Sequence, residues 1–318
     1  ITANLFRFFN GKRPFQVGVD IGANAVTMVK MRKTSDGKSL LVDQKVVKLG
    51  EGISKKSPEF NTLLKSSLTA FAGSLDDCDI WAMMSAAEVN VFRLKIPIVP
   101  ANQMENVIYW AAKKENPIDE KEVFFDYEVQ GKINDQGIPK YAVMVYSAPR
   151  SEPQKVKDLF SSIGVSLTGV TIAPFAIQNY FRTEWIKAGE GAFAGIFIGH
   201  DFSRIDIYRK NDLVMTRGIK TGIISMMEAI DEAIAEAPSD AREEKERAKA
   251  LLNEIAADPE KWMKEEGGVN WAETGILEMT APALERLLRQ IERTMEGCSL
   301  VPLVLFFPVT TVANDLHD

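Results

Sequence analysis

The stretch that decides the fold is Phe15-Gln-Val-Gly-Val-Asp20-Ile-Gly22-Ala-Asn-Ala-Val26, an apolar strand that runs into a tight turn and then into a second strand. The turn carries an acid, Asp20, and two residues later a glycine, Gly22. Such a turn can hold a metal-bound phosphate, because Mg²⁺ prefers oxygen ligands and glycine allows close approach of the backbone. An acid and a glycine are also common in ordinary turns, so this motif alone is weak.

A second copy of this pattern makes the first one informative. Residues 193–207 read Phe193-Ala-Gly-Ile-Phe-Ile-Gly199-His-Asp-Phe-Ser-Arg-Ile-Asp-Ile207 and again predict strand, turn and strand. The position that matches Asp20 is Phe197, and a phenylalanine can neither coordinate Mg²⁺ nor accept a proton. Asp201 follows Gly199 by two residues, a shift that we expect to place it outside a phosphate site. The sequence therefore predicts an internal repeat in which one copy has lost its acid.

Composition limits the classes of protein that this chain can belong to. Its 318 residues suit roughly two domains of about 150 residues each, and 46% hydrophobic and 26% charged residues are ordinary for a globular protein. A net charge of −6 argues against a nucleic-acid partner, which usually requires a basic face. Two cysteines and two histidines show no metal-ligand spacing, and we expect two reduced thiols in a cytosolic protein.

No stretch of the sequence approaches the ~20 apolar residues that span a bilayer. Residues 300–309 are apolar but carry Pro302 and Pro308, so we interpret them as a buried strand. The N-terminal tail, residues 1–14, is aromatic and basic, and its contact with a membrane surface or with a partner stays open. The chain begins with Ile1 and ends at Asp318 inside the apparent start of a helix, so we expect it to be a fragment.

Hydrophobic periodicity divides the chain into three blocks. The first has a strand meander over 15–48, a helix over 59–72 and a strand over 80–84. The second, residues 88–170, predicts strand, helix (103–115), two strands (124–130 and 141–148), helix (152–163) and strand, a compact α+β module. The third repeats the meander over 193–217 after a helix at 175–186. It continues with helices at 221–235 and 281–295, a charged helical hairpin within 232–266 and a last strand at 303–307.

Two meander-and-helix halves that face each other make a cleft, and clefts between domains are common ligand sites. Here the residues begin to resemble a known group. Val19-Asp20-Ile21-Gly22, with a following strand that ends at Val29-Lys30, resembles the first phosphate loop of the actin-like ATPase superfamily.

Within that superfamily, the order of several motifs resembles the PilM family of type IV pilus assembly proteins. These motifs are Val91-Phe-Arg-Leu-Lys-Ile-Pro97, Trp110-Ala-Ala-Lys-Lys-Glu-Asn-Pro117, Phe125-Asp-Tyr127, Tyr146-Ser-Ala-Pro-Arg150, Thr171-Ile-Ala-Pro-Phe-Ala-Ile177 and Thr216-Arg-Gly-Ile219. The resemblance covers about residues 15–230. The cytoplasmic domain of the type II secretion platform protein GspL is the nearest competitor.

The resemblance implies an α/β, actin-like fold of the FtsA/PilM type, a duplicated ribonuclease-H-like fold with an inserted α+β subdomain. After the tail at 1–14, it implies five segments. Residues 15–88 and 170–190 form subdomain 1A, and residues 89–169 form the inserted subdomain 1C. Residues 191–230 and 276–318 form subdomain 2A, and residues 231–275 form subdomain 2B.

The resemblance also implies a function and a set of partners. It implies a cytoplasmic protein, peripheral to the inner membrane, that holds a short N-terminal peptide of a PilN-like membrane protein against subdomain 1C. The assembly ATPase and a second copy of the chain are further candidate partners, and ATP with Mg²⁺ is the candidate cofactor. The implied nucleotide contacts are Asp20, Gly22, Ala23, Asn24, Lys30 and Gly199, with Asp20 as the Mg²⁺ ligand.

Two departures from the superfamily pattern favour a scaffold without catalysis. Phe197 replaces the second acid, and hydrolysis needs positioned charge around the γ-phosphate. The final strand continues as Leu305-Phe-Phe-Pro-Val-Thr-Thr311, without the glycine that allows the backbone to approach an adenine. We therefore expect no catalytic residues. A type II secretion component, an active ATPase or small-molecule kinase, and a cell-division actin homologue remain the alternatives.

Overall fold

The structure is a computed structural model. It describes residues 13–22, 25–34, 39–50, 52–55, 57–86, 89–116, 119, 121–183, 191–199, 202–209, 211–257, 275–295 and 303–306. The chain divides into two compact units. The first comprises residues 1–192 with 207–216, and the second comprises 193–206 with 217–318. Each unit has its own architecture and is described by itself.

The strands and helices follow in chain order. The strands are β1 (Phe15–Ile21), β2 (Ala25–Lys33), β3 (Ser39–Lys48), β4 (Cys78–Met83), β5 (Asn90–Pro97), β6 (Val123–Asp135), β7 (Ile138–Pro149), β8 (Gly169–Thr171), β9 (Ala192–Ile198), β10 (Ser203–Arg209), β11 (Asp212–Ile219) and β12 (Leu303–Phe306). The helices are α1 (Pro58–Ala72), α2 (Ala101–Glu115), α3 (Ser151–Ser162), α4 (Ala173–Arg182), α5 (Ile223–Ala235), α6 (Ser239–Ala257) and α7 (Ile276–Met295).

The first sheet contains the stretch that opens the sequence. Its strand order is β3-β2-β1-β4-β8, with β1 antiparallel to β2 and parallel to β4. Val17 and Val19 alternate onto one face of β1 and are buried with the apolar stripe of α1. Helix α1 begins where the hydroxyl of Ser57 accepts a hydrogen bond from the Phe60 amide at 3.3 Å, with Pro58 in its first turn.

A second, three-stranded sheet is built from the segment between β4 and α3. Its strand order is β5-β7-β6, and all neighbouring strands are antiparallel. The β6–β7 hairpin turns through Gln136 (φ 54°) and Gly137 (φ 85°), the two positive φ angles of a type I′ turn. Helix α2 covers one face of this sheet and buries Ile108 and Ala112 against Leu94, Ile96, Val143 and Val145.

The structure places α3 differently from the prediction. The sequence analysis assigned residues 89–169 to one inserted module. Phe160 and Ile163, at the end of α3, instead belong to the core of the first sheet, and β8 pairs with β4 of that sheet. The contacts therefore end the inserted segment near Pro149, because the apolar stripe of α3 faces the first sheet.

The second unit is built around a sheet of order β11-β10-β9-β12, in which β12 runs parallel to β9. The end of β10, the turn and the beginning of β11, which together make up residues 207–216, belong to the first unit. Ile230 of α5, Ala248 of α6, and Ile276 and Met279 of α7 share a small apolar core. The predicted helix at 281–295 begins earlier, at Ile276, and continues through Pro282.

Some predictions fall on residues outside the described ranges. They concern most of the tail at 1–14, part of the predicted meander (residues 35–38), the end of the predicted helix at 175–186, the second half of the charged hairpin and the turn after the last strand. Within the described ranges, every helix is too short or too polar to cross a bilayer.

Candidate functional site

The first turn is closed by a backbone hydrogen bond and holds a half-buried acid, Asp20. The amide of Gly22 donates to the carbonyl of Ala25 at 2.9 Å. Burial raises the pKa of the Asp20 carboxyl, and the positive charge of Lys55 opposes that rise. The Lys55 ammonium donates to the Ile21 carbonyl at 2.9 Å. A half-buried acid of this kind is unfavourable for folding and is typical of functional sites. The predicted contacts Ala23 and Asn24 lie outside the described residues.

Lys30 was predicted to contact the same ligand as Asp20, and the structure does not bring the two together. Asp20 pairs with Thr27 and Lys30 pairs with Val17, so the two side chains leave opposite faces of the sheet. The Lys30 ammonium donates to the Ala72 carbonyl at the end of α1 at 2.8 Å and lies 4.4 Å from the centroid of the Phe15 ring. A cation is favourable at a helix C-terminus, so Lys30 stabilises α1.

The second turn repeats the geometry of the first. The amide of Gly199 donates to the Phe202 carbonyl at 3.0 Å, just as Gly22 donates to the residue three positions later. A Cβ atom at position 199 would lie 2.8 Å from both Phe197 Cε1 and the Phe202 carbonyl oxygen, which explains the glycine. The matching hydrogen bonds make Phe197 the structural equivalent of Asp20.

A buried ion pair lies beside Phe197. Arg204 Nε donates to both carboxylate oxygens of Asp206 at 2.8 and 2.9 Å, and both side chains are about 3% exposed. The Arg204 guanidinium lies 5.2 Å from the centroid of the Phe197 ring. This turn therefore offers an aromatic ring and a cation where Mg²⁺ would need oxygen ligands. Within the described residues, no cluster of three or more potential metal ligands is present.

The first unit contains a separate, small apolar cleft that is open to solvent. Phe124 of β6 pairs with Ala148 of β7, and Tyr146 of β7 pairs with Asp126 of β6. The open end of the β6–β7 hairpin, away from its turn, therefore lines the cleft and forms its floor. Its lining is Met84, Val89, Phe124, Phe125, Asp126, Tyr146, Ser147, Ala148 and Pro153. The cleft thus lies where the inserted sheet meets β4 and the first turn of α3, and it is suited to apolar side chains.

The rim of the cleft carries both signs of charge. The Arg150 guanidinium lies 4.5 Å, and the Lys157 ammonium 6.0 Å, from the centroid of the Phe124 ring. The negative charge is that of Asp126, which also lines the cleft and whose carboxylate accepts a hydrogen bond from the Tyr127 amide at 2.8 Å. An apolar floor with charged groups at its edge can orient a bound segment as well as bury it.

A polar network begins at the floor of the cleft. The Tyr146 hydroxyl donates to Glu128 Oε2 at 3.2 Å, and Arg182 Nη1 donates to Glu128 Oε1 at 2.5 Å. Burial, and then the negative charge of Glu128, raise the pKa of Tyr146 well above its usual value, so the hydroxyl stays a donor. Burial lowers the pKa of Arg182, but the hydrogen bonds and charges of Glu128 and Asp212 outweigh it and raise that pKa.

Sequence reasoning missed this network. Its members come from β6, β7, α4 and β11, and the spacing of Glu128, Arg182 and Asp212 carries no local pattern. The aromatic residues Phe124, Phe125 and Tyr127 of β6 have mixed surroundings. Phe125 and Tyr127 pack against the α2 core, but Phe124 and Phe125 also line the cleft.

No family model matches the chain, and no curated protein matches it. Among solved structures, a chain of the PilM-PilN type IV pilus biogenesis complex matches with a TM-score of 0.63 and 17% identity, over 92% of this chain and 80% of that chain. The chain has the actin-like fold.

Two other solved structures match less well. MreB5 of Spiroplasma citri bound to ADP has a TM-score of 0.45 and 10% identity, over 92% of this chain and 85% of that chain. The cytoplasmic domain of EpsL, an inner-membrane component of the type II secretion system of Vibrio cholerae, has a TM-score of 0.41 and 11% identity, over 71% and 76%. The predicted fold class is confirmed, including its similarity to PilM.

Proposed function

We propose that the chain is a non-catalytic, actin-like component of a type IV pilus assembly platform that binds the N-terminal peptide of a PilN-like membrane protein. The observation that carries this proposal is the match over 92% of the chain to a chain of the PilM-PilN complex. Such a role would place the protein on the cytoplasmic side of the inner membrane. The type II secretion platform is the alternative machine.

The apolar cleft supports the binding role and is the site that we assign to the peptide. Its floor is a β-hairpin end with buried Tyr146 and Ala148, and its walls include Met84 and Pro153. An extended peptide can place alternate side chains into such a cleft while its backbone lies along the strands. Phe124, at the rim, supplies the large partly exposed aromatic surface that dominates many interfaces.

The second turn supports the absence of catalysis. Phe197 and the Arg204–Asp206 pair supply no carboxylate that is free to hold a metal or to orient an attacking water. Asp20 and Gly22 keep the form of a phosphate-binding turn in the first repeat. We therefore propose that any ATP bound by this chain is not hydrolysed, and that ATP contributes to its conformation alone.

The test is isothermal titration with a synthetic peptide that covers the cytoplasmic N-terminus of the PilN-like protein encoded beside this chain. We expect saturable binding to the purified chain. Phe124→Ala should weaken binding about 10-fold, as expected for loss of an aromatic contact worth ~1.4 kcal/mol or more.

Trp110→Ala is the matched control. Trp110 is a large aromatic residue of the same inserted segment, but it is 64% exposed on α2 and does not line the cleft. Its replacement should leave peptide affinity unchanged. Absence of binding to the unaltered chain contradicts the proposed function, and equal losses in the two variants contradict the assignment of the cleft.

A further inference from the structure

The tip of the β10–β11 hairpin is bound to α4 and to the inserted sheet by its backbone as well as its side chains. The Leu213 amide donates to Gln178 Oε1 at 2.6 Å, and its carbonyl accepts from Gln130 Nε2 at 2.7 Å. The Leu213 side chain is fully buried. Nearby, the Tyr208 hydroxyl donates to the Pro174 carbonyl at 3.1 Å. The hairpin tip is therefore fixed by both strands.

Charged groups extend this attachment to the floor of the cleft. Asp212 accepts hydrogen bonds from Arg182 Nε at 3.1 Å and Nη2 at 2.5 Å. The same guanidinium donates through Nη1 to Glu128, which accepts the hydroxyl of Tyr146. Gln178 belongs to both parts of the network, because its Nε2 also donates to Glu128 at 3.3 Å. One carboxylate, Glu128, thus receives hydrogen bonds from the cleft floor and from α4.

We propose that Glu128, Arg182 and Asp212 are positioning residues for peptide binding, which fix Tyr146 in the cleft floor and couple peptide affinity to the docking of the β10–β11 hairpin. This inference rests on the proposed function for its ligand, a peptide in the cleft. It assigns the hairpin tip, which does not line the cleft, a role in setting how tightly the cleft binds.

The physical basis is the orientation of one aromatic ring. The Tyr146 ring packs edge-on against Phe175, with centroids 4.3 Å apart, and its only polar atom is directed to Glu128. If Arg182 lost Asp212, its guanidinium would no longer be held between two carboxylates, and its hydrogen bond to Glu128 would be held less firmly. Glu128 would keep its bond from Gln178, but the acceptor of the Tyr146 hydroxyl would have lost one of its restraints, and the Tyr146 ring would be less firmly oriented. Because linkage is reciprocal, a bound peptide should also stabilise the docked hairpin.

The first experiment measures peptide affinity in a double-mutant cycle. Asp212→Asn should weaken binding of the PilN-like peptide about 5-fold, and Asp212→Glu should restore most of the loss. In a Tyr146→Phe background, Asp212→Asn should have no further effect, because the hydroxyl that transmits the coupling is absent. Glu243→Gln, which removes an exposed carboxylate paired with Arg247, is the control and should bind as the unaltered chain does.

The second experiment is hydrogen exchange without peptide, and it separates this inference from the proposed function. Asp212→Asn should speed exchange both at residues 211–213 and at residues 144–148 of β7. If only the hairpin amides exchange faster, the coupling is contradicted whether or not the chain binds the peptide. If the unaltered chain binds peptide and Asp212→Asn binds it equally well, the proposed function stands and this inference is overturned.

Discussion

The two strand-turn-strand repeats share one backbone turn and differ in what they bury beside it. In each, a glycine amide donates to the carbonyl three residues later, at 2.9 Å for Gly22 and 3.0 Å for Gly199. The first repeat places a carboxyl, Asp20, two residues before the glycine, and the second places Phe197 there. The two repeats thus share a backbone turn, and only the first has an acid at this position.

The difference shows that one turn shape can accommodate either a carboxyl or an aromatic ring beside it. Asp20 is half-buried, and its desolvation raises the pKa of its carboxyl, while the charge of Lys55 opposes this rise. The desolvation of the charged carboxyl lowers the stability of the fold. The second turn instead pairs Arg204 with Asp206 and covers the pair with an aromatic ring. Within the described residues, Asp20 has only an opposing lysine charge nearby, whereas Arg204 and Asp206 pair directly with each other, although Arg204 Nη2 is buried without a hydrogen-bond partner.

The largest expected effect comes from the buried pair of the second repeat. Asp206→Asn should lower the free energy of unfolding by ~3–5 kcal/mol, because it leaves the Arg204 guanidinium buried without a counter-charge. Urea unfolding of the unaltered chain and of the variant, monitored by circular dichroism, measures the loss of stability. Glu243→Gln removes an exposed partner of Arg247 and should change stability by less than ~1 kcal/mol. Equal losses in the two variants would mean that Arg204 reaches solvent.

The next effect compares the two glycines. Gly199→Ala should lower the unfolding free energy by ~1–3 kcal/mol, because the new Cβ would lie 2.8 Å from the Phe202 carbonyl oxygen and from Phe197. Gly22→Ala should cost less, since its Cβ would meet only the Ala25 carbonyl oxygen, at 3.2 Å. Thermal unfolding of both variants checks the order. A larger loss at position 22 would contradict the packing of the second turn.

The sequence predicted the repeated parts of the molecule well, because they depend on local patterns. The meander strands, the apolar stripe of α1 and the Phe197 substitution are all visible in residue order. Helix α3 was misplaced because its apolar stripe shows that one face is buried but not which sheet covers it. Lys30 was grouped with Asp20 through the resemblance to the first phosphate loop of the actin-like superfamily, whereas the strand register places their side chains on opposite faces of the sheet. The network of Glu128, Arg182 and Asp212 joins three distant segments and leaves no periodic signal.

Asp20→Asn should change stability less than Asp206→Asn does, and it should stabilise the fold rather than destabilise it. Since burial raises its pKa above the unfolded value, the charged carboxyl lowers stability once the pH exceeds both values. Asp20→Asn should therefore raise the melting temperature at pH 7, and the gain should vanish as the pH falls below about 4, near the unfolded pKa. Melting curves across this range measure it. A destabilised variant at pH 7 would show that Asp20 is stabilised by a partner.

The smallest effect concerns Asp135, a partly exposed carboxyl that serves as a reference for the predictions about Asp206 and Asp20. Hydrogen bonds from Lys140 and Lys95 lower the pKa of Asp135, at the end of the β6–β7 hairpin, to about 2. A depressed pKa contributes stability above the unfolded value of about 3.9, and this contribution is lost as the pH falls toward 2. Carbon NMR of the carboxyl should show a midpoint near 2, which Lys140→Met should raise toward the usual value. Because Asp135 is at the surface, the same replacement should barely change the melting temperature at pH 7. A titration midpoint near the usual value in the unaltered chain would mean that solvent screens the ion pairs of Asp135 with Lys95 and Lys140. The pKa of Asp20 would then be the better measure of how strongly this fold shifts the pKa of a carboxyl.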